Sequence, residues 1–225
     1  MNAHDIMTAP AITTGPDTPL TGIVTLMLEH HISAVPIVDA EGFLIGIVSE
    51  GDLMRRKYAG VPRQKSWWLE ALGGPAEPAE DLVTAHDSTA RDVMTTDVHA
   101  INETALLPSI AGLLERYRIK RVPVLADGKV VGIVSRANLL QALSLDPVGS
   151  APHPDASDRD LRRTVFDALA PLKGTAHLNL IVRAGTVTLW GEAQSAGQRQ
   201  ALVDAAGSVT GVAKVIDNLH APDAE

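Results

Sequence analysis

The order of apolar and polar positions predicts short strands alternating with amphipathic helices. Residues 11–14 read as a strand, and Asp17-Thr18-Pro19 is typical of a helix start. The following helix is indicated by apolar residues at helical spacing, Leu20, Ile23, Val24, Met27 and Leu28. The β-branched runs 35–38 and 43–48, joined by a turn that contains glycine, predict a hairpin. We expect a further helix after residue 49 and a core beneath the helical stripe.

The same series returns later in the chain. Asp5-Ile6-Met7-Thr8 aligns with Asp92-Val93-Met94-Thr95 at an offset of 87 residues (92 minus 5). The helical stripe recurs as Leu107, Ile110, Ala111 and Leu114, and the hairpin recurs around Val122-Pro123. A duplicated unit predicts a pseudosymmetric module that binds at the seam between its copies.

Two segments are predicted to separate domains. Residues 61–90 read as an insertion packed on the module, in which Trp67-Trp68 either covers a core edge or forms a dimer or partner surface. Residues 146–156 contain prolines 147, 152 and 154 and read as a linker. Beyond it, a helix after Ser157-Asp158 and an alternating, half-buried strand at 178–182 begin an αββαβ domain, which we expect to be separable.

Composition narrows the function. With 225 residues, 45% of them hydrophobic, the chain can bury more than one core. Asp and Glu outnumber Lys and Arg by 27 to 19, which argues against a nucleic-acid partner. The chain has no cysteine, so thiolate metal sites are excluded, and the histidines lack ligand spacing, so we expect no metal site. The N-terminus lacks a leader pattern, which leads us to expect a cytoplasmic protein.

Candidate chemistry lies where a strand runs into a helix. The segment Gly46-Ile47-Val48-Ser49-Glu50-Gly51-Asp52 places Ser49 at the helix cap and Asp52 one turn inside. Ser49 could donate to a phosphate and Asp52 could accept from ribose hydroxyls. Ser-x-x-Asp is equally a plain capping box that serves only the helix, and spacing alone favours that interpretation.

These motifs together resemble a pair of cystathionine-β-synthase (CBS) domains, the Bateman module, over about residues 1–145. The resemblance implies an α/β (α+β) fold with βαββα repeats at 1–60 and 91–145. It also implies an adenosyl ligand at each Gly-h-x-Ser/Thr-x-x-Asp element, with Asp on the ribose and Ser or Thr near the phosphate. Ser49 and Asp52 match it, whereas the second copy pairs Ser135 with Asn138 in place of Asp. We therefore expect unequal sites.

The resemblance implies further ligand contacts. Adenine would lie between strands, near Ile12-Thr13 or His99-Ala100, with walls at Val35-Pro36 or Val122-Pro123. Four basic residues are predicted phosphate partners, the alternative being a solvated basic face: Arg55, Arg56, Lys120 and Arg121. In this family two modules stack, so a homodimer is expected through apolar helix residues Leu53, Met54, Leu139, Leu140 and Leu143.

The C-terminal segment resembles a BON domain over about residues 157–220, through Leu180-Ile181-Val182, the stretch 185–191 and Gly211-Val212. BON domains have no catalytic residues and are proposed to contact phospholipid or protein partners. We therefore expect a non-catalytic, energy-sensing regulator without a catalytic cofactor, in which the CBS pair binds an adenine nucleotide and the BON domain transmits or localises the response. The alternative is a ligand-free dimeric scaffold that docks to a membrane or protein through BON.

Overall fold

The computed structural model describes residues 1–58, 88–145, 154, 156–172 and 178–221. Trp67-Trp68, the insertion up to residue 87 and most of the 146–156 linker lie outside these ranges. The helices of the described ranges are α1 Ala3–Ile6, α2 Leu20–Glu29, α3 Glu50–Tyr58, α4 Ala90–Val93, α5 Leu107–Arg116, α6 Arg136–Leu145, α7 Ala156–Leu169 and α8 Ala196–Gly207. The strands are β1 Ala34–Val38, β2 Leu44–Ser49, β3 Ile101–Asn102, β4 Arg121–Ala126, β5 Lys129–Ser135, β6 Asn179–Arg183, β7 Thr186–Glu192 and β8 Lys214–His220.

The chain forms two compact units, and each unit contains a short helix from the other repeat. The large unit comprises Met1–Ala11, His99–Asp127 and Val131–Glu225, and the small unit comprises Ile12–Val98 and Gly128–Val130. Helix α1 of the first repeat therefore belongs to the large unit, and helix α4 of the second repeat belongs to the small unit.

In the small unit, α2 packs on the β1–β2 hairpin, which pairs Ala34 with Ser49. Its core consists of Ile23, Met27, Val35, Ile37, Val48 and Ala90. The strand predicted at 11–14 is reduced to a single bridge from Thr14 to Ile37. Leu28 was expected to face the core, which is wrong: it is 69% exposed, whereas Ile23 and Met27 of the same helix are buried.

In the large unit, the second repeat forms the sheet β3-β4-β5. Helices α1, α5 and α6 contribute to one core with this sheet; its buried residues are Ala3, Ile6, Met7, Ile110, Leu114, Val122, Val124, Val134, Ala142 and Ile181. The last of these belongs to β6, so this core extends into the C-terminal domain.

The C-terminal domain has the predicted αββαβ order. Strand β7 pairs antiparallel with β6 and parallel with β8. Ala184 and Gly185 both have positive φ angles in the β6–β7 turn, and their amides donate to the carboxylate of Asp158 at 3.0 and 3.1 Å. A tight hairpin turn of this kind needs two left-handed residues, which glycine supplies without strain.

Strand β6 is buried on both faces, so the prediction of a half-buried strand is wrong. Leu180 and Val182 enter the core of the C-terminal domain, whereas Ile181 enters the core of the second repeat. On that same face, Asn179 Nδ2 donates to Gln141 Oε1 at 2.7 Å and Arg183 Nη1 donates to the Leu145 carbonyl at 3.2 Å. The C-terminal domain is therefore joined to the second repeat through buried apolar and polar contacts, which count against the expected separability.

Candidate functional site

In the first repeat, Ser49 ends β2 and Asp52 lies in the first turn of α3. Asp52 Oδ2 accepts from the Ser49 amide at 2.9 Å and from its hydroxyl at 2.5 Å. The other oxygen, Oδ1, accepts from Thr95 Oγ1 at 3.2 Å. The side chain is buried, with only 8% of Asp52 exposed. The capping-box interpretation thus describes one carboxylate oxygen, while the other contacts a residue of the second repeat.

The second repeat reproduces this geometry with a neutral residue. Asn138 Oδ1 accepts from the Ser135 amide and hydroxyl, both at 2.7 Å. Its Nδ2 donates to Thr8 Oγ1 at 3.3 Å, and Asn138 is 4% exposed. Each strand-to-helix junction is therefore closed by a threonine from the other repeat.

Thr8 and Thr95 were not predicted as site residues. Both end the duplicated Met-Thr motif, and both form a bridge to the strand before the junction, Thr8 with Ile133 and Thr95 with Ile47. Their recurrence at the offset of the duplication could have identified them. The sequence contained that information, but no local rule assigns a threonine so far along the chain to a helix cap.

The glycines of the two Gly-Ile-Val-Ser elements leave room for the Met-Thr segment that each repeat contributes to the junction of the other. A Cβ atom at Gly46 would lie 2.5 Å from Met94 Sδ, and one at Gly132 would lie 2.6 Å from Met7 Sδ. Real Cβ atoms do not approach other heavy atoms this closely. Glycine at these positions therefore lets Met94 pack directly on β2 and Met7 pack directly on β5.

The other predicted residues of the small unit gather at the Ser49 end of the hairpin. Thr14 donates its amide to the Pro36 carbonyl at 3.2 Å, so Ile12-Thr13 lead directly to the Val35-Pro36 wall. Val35 and Pro36 are buried, and Ile12 and Thr13 are half-buried. Arg55 and Arg56 lie in α3, but their side chains fall outside the described residues.

The large unit gathers its predicted residues in the same way. Ile101 pairs with Val124, so His99-Ala100 approach the sheet beside Val122-Pro123. The amide of Arg136 donates to the Lys120 carbonyl at 3.1 Å, which brings the start of β4 next to Ser135. Val122 and Pro123 are buried, Arg121 is half-buried and Lys120 is exposed.

One contact at this site was missed from the sequence. The ring of His99 stacks on Tyr117, with ring centroids 3.6 Å apart and planes 29° from parallel. The two residues come from different elements, and only the fold brings them together. A stacked aromatic pair beside the predicted adenine position offers a flat apolar surface.

The two junctions differ in hydrogen-bond polarity. A carboxylate only accepts hydrogen bonds, so the Thr95 hydroxyl must donate its proton to the hydrogen bond with Asp52. Asn138 instead donates to Thr8, which leaves the Thr8 proton available to another acceptor. The first junction therefore suits a ligand that donates, such as a ribose diol, and the second offers both a donor and acceptors. This difference follows from one substitution between the repeats.

Comparison with known proteins identifies two domain families in the chain. The CBS domain family matches residues 3–58 and 90–145, and the BON domain family matches residues 157–222. An uncharacterized protein of Methanocaldococcus jannaschii is 31% identical over 158 residues, which cover 64% of this chain and 91% of that protein. This chain belongs to the CBS-domain proteins. It carries two CBS domains followed by a BON domain.

Solved structures agree with this CBS pair. The CBS domain of a CBS domain-containing membrane protein from Sphaerobacter thermophilus is 36% identical, covers 63% of this chain and 86% of its own, and has a TM-score of 0.52. The structure of CBSX2 in complex with AMP is 24% identical, covers 64% of this chain and 96% of its own, and has a TM-score of 0.50. Among the described residues of this CBS-domain protein, no helix is long and apolar enough to cross a bilayer.

Proposed function

We propose that this protein is a non-catalytic regulator whose two CBS domains bind an adenine nucleotide at unequal sites. The observation that carries the proposal is the repeated group of Ser, Asp or Asn, and Thr at each strand-to-helix junction. Backbone amides and the helix dipole favour an anion at such a junction. The side chain one turn inside the helix is positioned to meet a ribose.

The proposal assigns ribose recognition to Asp52 and Asn138. Asp52 accepts from the ribose hydroxyls in the small unit, and a charged acceptor makes such bonds about twice as strong as a neutral one. Asn138 serves the same hydroxyls without charge. A CBS pair of this fold has been solved with AMP bound, and for this chain the assignment rests on its own junction residues.

Phosphate recognition is assigned to the basic residues next to each junction, Arg55 and Arg56 in the small unit and Lys120 and Arg121 in the large unit. Charge pairs near a surface weaken as salt rises. An Arg55→Ala/Arg56→Ala double variant should therefore lose both ATP affinity and its salt dependence in calorimetry. Unchanged values for both would assign these arginines to a solvated face.

The decisive experiment is a melting-temperature screen of the full chain against adenosine, AMP, ADP, ATP, NAD and S-adenosylmethionine. A ligand at about one hundred times its dissociation constant stabilises a fold by about 2.7 kcal/mol, which is a clear shift. The double variant Asp52→Ala/Asn138→Ala should abolish the shift, and Asp204→Ala, an exposed change in the BON domain, should retain it. Absence of any shift in folded wild-type protein would leave the ligand-free scaffold as the function.

We further propose that the protein is a homodimer. Of the apolar residues predicted for this contact, Leu140 and Leu143 on α6 are 66% and 60% exposed and Met54 is 41% exposed. Leu53 and Leu139 are half-buried against the cores of their units and expose less apolar surface. Light scattering at micromolar concentration should give a dimer mass, and Leu140→Asp/Leu143→Asp should lower it. A monomer mass for the wild type would contradict this proposal.

For the BON domain we propose a protein partner rather than anionic lipid, in a cytoplasmic setting. Within its described residues, the domain has no basic amphipathic helix of the kind that binds anionic membranes. Full-length protein should stay in the supernatant when anionic vesicles are sedimented at physiological salt. Strong pelleting would reverse this ranking and favour phospholipid.

A further inference from the structure

Helix α7 of the BON domain contacts the segment that closes the second junction. Arg162 is 4% exposed; its Nε donates to the Leu180 carbonyl at 3.0 Å and its Nη2 donates to the Met7 carbonyl at 2.5 Å. Its guanidinium also lies 4.7 Å from the ring centroid of Phe166. Arg162 thus joins the BON domain to the N-terminal segment that contains Met7 and Thr8.

The Met7 carbonyl and the Thr8 amide belong to the same planar peptide group. Arg162 donates to one end of this group, and the Thr8 amide at the other end donates to the Ile133 carbonyl at 2.9 Å. Hydrogen bonds in such a chain polarise and strengthen one another. The peptide that precedes the Thr8 side chain is therefore held by the BON domain on one side and by β5 on the other.

The charge of Arg162 persists at neutral pH. Burial lowers the pKa of Arg162 to about 10, and the nearby Asp5 carboxylate opposes this shift. Asp5 is 1% exposed and forms an ion pair with Arg159 at 2.8 Å. A charged donor to a carbonyl makes a stronger bond than a neutral one, so the Met7 contact restricts the segment more than an ordinary side-chain contact does.

Among the described residues, none supports the first junction in this way. Thr95 pairs with Ile47 as Thr8 pairs with Ile133. No hydrogen bond to the Met94 carbonyl is found within the described ranges of the chain. Thr95 is exposed, whereas Thr8 is half-buried. The duplication therefore provides an internal control for the effect of the BON domain.

We propose that Arg162 of the BON domain is a positioning residue of the second nucleotide site, acting through the Met7–Thr8 peptide on Thr8 and Asn138. The proposal rests on the proposed function, since it needs nucleotide to bind at the second site. By linkage, nucleotide at that site tightens the docking of the BON domain by the same factor by which docking tightens nucleotide.

The test isolates each site in the full chain. Asp52→Ala leaves the second site to be measured, and Asn138→Ala leaves the first. Adding Arg162→Met, which keeps much of the buried volume and removes the donors, should weaken AMP binding about five- to tenfold in the Asp52→Ala background. In the Asn138→Ala background the change should be less than about twofold. Arg163→Met, a neighbouring arginine that is 71% exposed, is the matched control and should change neither.

A second measurement leaves the BON domain unaltered, in case Arg162→Met does not fold. Saturating AMP should slow amide hydrogen exchange in α7 of the Asp52→Ala protein and not in that of the Asn138→Ala protein. If α7 fails to respond in the Asp52→Ala protein although AMP binds, the positioning role is overturned and the proposed function stands. If AMP binds to neither background nor to the wild type, both proposals are overturned.

Discussion

The Asp5-Ile6-Met7-Thr8 and Asp92-Val93-Met94-Thr95 segments are copies of one motif but have different surroundings. Asp92 and Asp5 occupy equivalent capping positions, yet Asp92 is exposed and Asp5 is 1% exposed and paired with Arg159. The difference comes from the BON domain, which packs on the second CBS domain within the large unit. Repeats with similar sequences can therefore have different roles when an added domain covers only one of them.

The largest expected effect concerns the shared core of the large unit. Ile181→Ala removes a fully buried side chain and should cost about 2–5 kcal/mol. Because Ile181 belongs to the core of the second CBS domain, amide exchange should accelerate in α5 and β4 as well as in the BON domain. Peptides from α2 and β1 in the small unit serve as the internal control. Acceleration confined to the BON domain would show that the two cores are independent.

A second prediction compares the junctions through their ligand. Losing hydrogen bonds to a charged group costs about 1.5–3 kcal/mol, and losing those to a neutral group about 0.5–1.5 kcal/mol. Asp52→Ala should therefore weaken AMP binding more than Asn138→Ala in calorimetry. Asn138→Asp should strengthen the second site, because Thr8 can then donate as Thr95 does. Equal losses for the two alanine variants would refute the inequality.

A third prediction uses the two glycines. A Cβ at Gly132 would meet Met7 Sδ at 2.6 Å and the Thr8 backbone oxygen at 3.0 Å, whereas at Gly46 the three nearest atoms all belong to the flexible Met94 side chain. Gly132→Ala should cost about 1–3 kcal/mol in urea unfolding, and Gly46→Ala less.

Gly112 provides the control for these glycine variants. Apart from the helix's own backbone, no heavy atom of the described residues lies within 4 Å of a Cβ at this position in α5, so Gly112→Ala should stabilise by up to about 1 kcal/mol. Equal costs at Gly46 and Gly132 would mean that the backbone contact to Thr8 is not rigid.

The smallest expected effect is a pH dependence specific to the large unit. Burial, and next the charge of Arg162, lower the pKa of His4 below its usual 6.5. The unfolded chain therefore takes up this proton first, so stability is complete above about pH 6.5 and declines as the pH falls through the folded-state value. His4→Gln should reduce the difference between the free energies of unfolding measured in urea at about pH 7.5 and at about pH 5. An unchanged slope would assign the pH dependence to other groups.

The sequence was sufficient wherever the pattern was local or repeated. The 87-residue offset, the hairpins around Val35-Pro36 and Val122-Pro123, and the Ser-x-x-Asp and Ser-x-x-Asn elements predicted the duplicated α/β fold. The apolar pattern beyond Ser157-Asp158 predicted the αββαβ domain. These features depend on side-chain period, turn residues and capping, which neighbours along the chain determine. The family assignment followed from the same motifs and was confirmed.

Tertiary structure decided which residues meet across the chain. Thr8 reaches Asn138 and Thr95 reaches Asp52 because α1 and α4 pack in the unit of the other repeat. The alternation of Leu178, Leu180 and Val182 predicts a half-buried strand, and only the packing of α6 shows that Asn179 and Arg183 on the opposite face make hydrogen bonds inside the protein. Hydrophobic pattern records which groups avoid water. It does not record which distant partner satisfies a buried polar group, and that partner links the BON domain to the second CBS domain.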